Sequence, residues 1–125
     1  MNRSTLDALE PFTTLDGSTI REIAGVGGGA SAPARAQSLA EATVPAGGET
    51  VAHLHRETEE LYFFTAGRGE MRLGDERAPV AAGDCVVIAP GTPHKLWCTG
   101  EAPLVLLCCC APPYRHEDTV LLEDA

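Results

Sequence analysis

The sequence predicts a small all-β domain, an antiparallel sandwich or barrel. From residue 37 onward, short β-prone runs alternate with turn residues. Thirteen Gly and nine Pro in 125 residues supply many turns. No long amphipathic helix interrupts the series. The length fits one domain. Hydrophobic residues make up 44%, enough for a packed core, but aromatics are scarce, so Ala, Val, Leu and Cys must fill much of it.

Residues 2 to 10 can form a short helical turn capped by Ser4 or Thr5. Phe12 to Ile23 holds two β-prone runs about Asp16-Gly17, a hairpin signal. Residues 25 to 36, GVGGGASAPARA, carry no periodicity and read as a flexible connector. They are no phosphate loop, since no Lys-Ser/Thr follows. Strands are expected over Gln37 to Val44, Thr50 to His55, Glu60 to Thr65, Glu70 to Leu73, Cys85 to Ile88, His94 to Thr99 and Leu104 to Ala111. The expected division is an N-terminal arm over 1–36, a barrel core over 37–111 and a tail over 112–125.

Two segments carry the chemistry. On a strand, residues two apart share a face, so His53 and His55 present both imidazoles to one side. A four-residue turn brings Glu60 back on the neighbouring strand. In the second segment a Pro90-Gly91 turn precedes a strand that starts at His94, a third imidazole for the same cavity. Three of the four histidines fall in these segments. Two or three nitrogens and a carboxylate oxygen suit a first-row divalent ion, so His53, His55, Glu60 and His94 are the expected metal ligands.

The segment GGETVAHLHRETEELYFFTAG resembles the first cupin motif: Gly47, five residues, His53-x-His55, four residues, Glu60, six residues, Gly67. GDCVVIAPGTPHKLWC is similar to the second motif through Gly83, Gly91 and His94. Ala89 stands where that motif often has Pro, and Cys98 where it often has Asn. The resemblance covers about residues 37 to 111 and implies a double-stranded β-helix (jelly-roll) barrel, with the arm added, holding one Fe, Mn, Ni or Zn ion. The motifs do not fix the substrate, because cupins include oxygenases, isomerases, decarboxylases and binders. Four donors leave two adjacent positions on an ion that prefers six, which favours a metal-dependent oxygenase acting on a small oxygen-rich molecule. The alternatives are a sugar isomerase or epimerase and a non-catalytic binder of small ligands. The arm can pair with a sheet edge of its own barrel or of a neighbouring chain. The resemblance to small cupins, which are commonly dimeric, favours exchange between chains, so a homodimer is expected.

Alternation places Tyr62 and Phe64 on the face of Glu60, and Leu61 and Phe63 on the other. It also groups Leu96 and Cys98 with His94, so Phe64, Leu96 and Cys98 are expected at the substrate pocket. Tyr62 and His116 are the candidate catalytic acid–base groups. Glu57 and Glu59 read as solvated carboxylates or supports behind the ligands. Cys108 and Cys110 share a face opposite Cys109 and read as core residues. Trp97 should face outward, toward an outer core or a dimer contact. Lys95 should also point away from the cavity. The net charge of −9 disfavours nucleic acid and anionic membrane surfaces. The N-terminus shows no apolar run of signal length, so a cytoplasmic protein with five reduced cysteines is expected.

Overall fold

The structure, a computed structural model, describes residues 1–124. A single 3-10 turn, Leu6–Ala8, opens the chain. Neither expected cap bonds to it. Instead the Ser4 hydroxyl donates to the Ile23 carbonyl at 2.6 Å, tying the N-terminus to the arm. Twelve strands follow: β1 Phe12–Thr13, β2 Thr19–Gly25, β3 Ala32–Pro33, β4 Ser38–Val44, β5 His53–His55, β6 Glu59–Ala66, β7 Arg68–Leu73, β8 Glu76–Ala81, β9 Cys85–Ile88, β10 His94–Cys98, β11 Leu104–Ala111 and β12 Thr119–Leu121.

They form two sheets. One runs β1-β2-β4-β11-β6-β9 with β3 beside β2, and the other runs β12-β5-β10-β7-β8. The sheets pack face to face as a double-stranded β-helix without closing into a continuous barrel. Side chains from the inner faces, among them Val44, Phe64, Ile88, Leu104 and Leu106 from one sheet and Met71, Val80 and Leu96 from the other, make one core. Strand alternation produces this division: Tyr62 and Phe64 are buried, while Leu61 and Phe63 are exposed on the outer face of β6.

The arm is part of the larger sheet. β1 and β2 form the expected hairpin, and β2 pairs with β4 of the same chain from Thr19↔Thr43 to Ala24↔Leu39. The Gly-rich connector is held in place. β3 pairs parallel with β2, and the Glu22 carboxylate accepts from Gly27 N at 3.0 Å and from the Ser31 hydroxyl at 2.8 Å.

Besides β3 in the connector, two further strands lie outside the expected set. β8 pairs with β7 through the Gly74-Asp75 turn and forms a sheet edge. Its exposed run carries two charges and Pro79, which an edge strand tolerates and a central one does not. β12 lies in the tail and pairs with β5, Thr119↔His55 and Leu121↔His53. The expected strand Thr50 to His55 is interrupted. Thr50 still bonds to Leu96 of β10, but Val51 N–H donates to the Asp16 carbonyl at 2.7 Å, so the chain turns toward the arm before β5 begins. Among the described residues, no helix is long and apolar enough to cross a membrane.

Candidate metal centre

The short strand β5 aims His53 and His55 inward, and its register partner on β10 is His94, opposite His53. All three side chains are buried, and their ligand nitrogens lie within 4.8 Å of one another. Glu60, at the start of β6, places Oε1 3.3 Å from His55 Nε2 and 3.5 Å from His94 Nε2. The structure therefore groups the three imidazoles and sets Glu60 against two of them, His55 and His94.

The outer ring nitrogens determine what the inner ones offer. His53 Nδ1 lies 2.8 Å from the Val51 carbonyl, and His94 Nδ1 lies 2.9 Å from the Thr92 carbonyl. A carbonyl only accepts, so both Nδ1 atoms carry the proton. His55 Nδ1 faces the Thr119 hydroxyl at 3.1 Å, and that hydroxyl donates onward to the Arg115 carbonyl. It must then accept from His55. In its neutral form each ring therefore carries a bare Nε2 lone pair pointing inward, the arrangement that fixes histidine as a metal ligand.

Glu60 Oε1 and His94 Nε2 are buried and have no hydrogen-bond partner among the described residues. Two unpartnered acceptors 3.5 Å apart in a dry interior are costly unless a cation lies between them. The donor set therefore fits a divalent metal ion. Burial alone would raise the Glu60 carboxyl; positive charge beside it, on protonated His55 and His94 rings or on a cation held between bare ones, outweighs burial and holds it low. Burial pushes His53 below its ordinary value, His94 adds to this, and Asp16 opposes it. The carboxylate is thus ionised and His53 neutral, the forms that ligate.

The remaining candidate residues are placed unevenly. Tyr62 and Leu96 line the cavity over the site, whereas Phe64 and Cys98 do not. Phe64 is 0% exposed within the core, and the Cys98 thiol donates to the Ala102 carbonyl at 3.2 Å. Both lie on the expected strand faces but further along their strands, away from the cavity. Tyr62 is buried, and desolvation keeps its phenol protonated well above the ordinary range. His116 is exposed and outside the cavity lining, with Nδ1 2.9 Å from the Tyr114 hydroxyl. Tyr62 and His116 therefore do not meet as an acid–base pair. Glu57 and Glu59 are exposed.

No disulfide links the cysteines. Burial keeps the thiols of Cys108 and Cys110 protonated, and Cys110 donates to Glu60 Oε2 at 3.2 Å, which holds the carboxylate from behind. Lys95 lies on the outer face as expected but is covered there by Glu49 and Glu123. Trp97 is covered too, with the Arg77 guanidinium 4.2 Å above its ring.

Three residues near the centre were not singled out by sequence. Thr119 orients His55 from β12. Tyr114 packs edge-on against His55 at 5.7 Å and lines the cavity. Asp16, read only as a turn residue, places Oδ2 3.7 Å from His53 Nε2. It precedes His53 by 37 positions in a turn, so no strand or motif spacing marks it.

The family profile described as Cupin domain matches residues 40–110. The uncharacterized protein MJ1618 of Methanocaldococcus jannaschii is 45% identical over 123 residues, covering 97% of this chain and 94% of that protein. The polyketide cyclase RemF from Streptomyces resistomycificus superposes with a TM-score of 0.80 at 19% identity, covering 100% of this chain and 87% of RemF. The nucleoside dehydratase Pac13, from Streptomyces, gives 0.77 at 16% identity, covering 98% and 92%. At these identities the two solved structures share the fold.

Proposed function

The chain belongs to the cupin-domain family, and from that premise we propose that it holds one divalent transition-metal ion with His53, His55, Glu60 and His94 and acts with it on a small oxygen-rich molecule. The observation that carries this reading is the pair of buried, unpartnered acceptors, Glu60 Oε1 and His94 Nε2, facing each other across the histidine cluster. Fe, Mn, Ni and Zn all suit such donors.

The favoured reaction is an oxygenation. A bound redox-active ion supplies the electron transfer and the vacant positions that this chemistry needs. Ala42, Val44, Leu96 and Leu106 give the cavity an apolar wall that excludes water. Tyr62, held protonated, can donate a hydrogen bond to an oxygen of the bound molecule but cannot serve as a base. An isomerase or epimerase needs a base within reach. His116 stands outside the cavity. The carboxylates on the cavity wall besides Glu60 are Asp16, which faces His53, and Glu22, which is held by Gly27 and Ser31. These placements weigh toward oxygenation.

The test is a thermal-shift screen of small acids, enols and sugars, followed by turnover of each hit with Fe²⁺, Mn²⁺, Ni²⁺ and Zn²⁺, in air and without it. The expected result is oxygen uptake with a redox-active ion and none with Zn²⁺. Equal turnover with Zn²⁺ and without air would replace the oxygenase by the isomerase. Stabilisation without product under every ion would leave a binding protein.

We also propose a homodimer working in the cytoplasm. Leu61, Phe63 and Val87 stand 38%, 43% and 58% exposed on the outer face of the seven-stranded sheet, with Leu61 directly opposite Val87. Three large apolar side chains on adjacent strands suit a self-complementary contact. Sedimentation should show a dimer at micromolar concentration that Phe63→Glu dissociates. A wild-type monomer would refute it.

A further inference from the structure

Asp16 occupies the turn of the β1–β2 hairpin, and both ends of its residue are fastened. Its Oδ1 accepts from the Thr14 hydroxyl at 2.6 Å, the Ser18 hydroxyl at 2.6 Å and Ser18 N–H at 2.9 Å. Its main-chain carbonyl accepts from Val51 N–H at 2.7 Å, two residues before His53. The arm is thereby pinned to the strand that carries the first imidazole, and the orientation of the carboxylate is set.

Oδ1 is saturated, while Oδ2 makes no hydrogen bond among the described residues and lies 3.7 Å from His53 Nε2. The His53 proton sits on Nδ1, held by the Val51 carbonyl. A carboxylate oxygen and an imidazole lone pair therefore point at each other. Glu60 Oε1 stands in the same relation to His55 and His94, at 3.3 Å and 3.5 Å. Donors bound to one ion at about 2.0–2.2 Å lie roughly 3–3.5 Å from their neighbours around it. The Asp16 separation from His53 exceeds this range by a few tenths of an ångström. Asp16 also stands outside the cluster of imidazole nitrogens that lie within 4.8 Å of one another, so its carboxylate must close inward as the ion binds.

We propose that Asp16, contributed by the N-terminal arm, is a fifth ligand of the metal ion on the His53 side of the site. This rests on the reading that the three imidazoles hold an ion. Two carboxylates then neutralise a divalent charge where one would leave it positive. One position of six remains vacant in the resting protein, so an incoming oxygen donor must take that position or displace Asp16. Neutrality also removes the general attraction for anions that a net positive site would have, which shifts the favoured ligands toward neutral, oxygen-rich molecules.

The test uses the full chain as wild type, Asp16→Asn, Asp16→Ala and His94→Ala, each stripped by chelator and titrated with Co²⁺ against a competing chelator. Both Asp16 variants should bind Co²⁺ about tenfold or more weakly, in line with the loss of a charged partner at a metal site. They should also show altered visible ligand-field bands. Asp16→Asn, which keeps an acceptor oxygen for Thr14 and Ser18, should melt near wild type when metal-free, whereas Asp16→Ala should melt lower. Affinity within about twofold of wild type and unchanged bands would overturn the proposal. So would a lowered metal-free melting temperature with unchanged affinity, which would make Asp16 an anchor of the hairpin. If His94→Ala loses the ion while the Asp16 variants keep it, the imidazole site stands without Asp16. A wild type that takes up no Co²⁺ removes the site itself.

Discussion

His94→Ala should leave the protein folded and nearly metal-free. His94 is 1% exposed, its ring is locked by the Thr92 carbonyl, and its Nε2 has no protein partner. Removing it takes one of three imidazoles from the ion and leaves Glu60 Oε1 facing His55 alone. Zinc-binding free energies of about 10–16 kcal/mol for four-ligand sites give roughly 3 kcal/mol per ligand, or about a hundredfold in affinity. His53→Ala and His55→Ala should behave alike. Glu60→Gln keeps an oxygen donor and loses a charge, so its affinity should fall less. The measurement is metal per chain after loading and gel filtration. Full retention by His94→Ala with unchanged affinity would mean that the two segments do not share an ion. Co²⁺-loaded wild type should show no thiolate charge-transfer bands, because the imidazole cluster includes no cysteine and the Cys110 thiol is turned to Glu60 Oε2. Strong bands of that kind would bring a cysteine into the ligand set.

Phe64→Ala should be the most destabilising single change among the residues expected at the pocket. The side chain is fully buried and meets Tyr62 edge-on at 6.2 Å. It packs in the core cluster that joins the two sheets. Truncating a buried Phe costs about 3–5 kcal/mol, through lost transfer energy and the cavity left behind. Urea unfolding at fixed metal concentration should show that loss. The remaining native protein should keep the wild-type metal affinity and ligand profile, since Phe64 does not line the cavity. A loss below about 1 kcal/mol accompanied by changed ligand selection would place Phe64 on the cavity wall after all.

These two residues show what could be read from the sequence. His-x-His on a strand, a returning Glu and a Gly/Pro turn before His94 locate the metal cluster, because strand alternation fixes which side a residue faces. The same rule assigns Tyr62 and Phe64 inward. Alternation says nothing about depth along the strand, so Phe64 and Cys98 share the site's face without reaching its cavity. β8 was missed because Glu76, Arg77 and Pro79 make an edge strand look like a loop, and β12 because three residues in a polar tail carry no periodicity. Asp16 and Thr119 reach the histidines through tertiary pairing alone. The arm folds back along β4, and the tail folds back along β5.

The most direct test of the account is elemental analysis of the full chain, purified without a metal-leaching affinity tag and then equilibrated with Zn²⁺ or Co²⁺ and desalted. The account predicts about one ion per chain, as expected for a single set of converging imidazole and carboxylate donors. A folded wild-type protein that retains no ion after loading would contradict it.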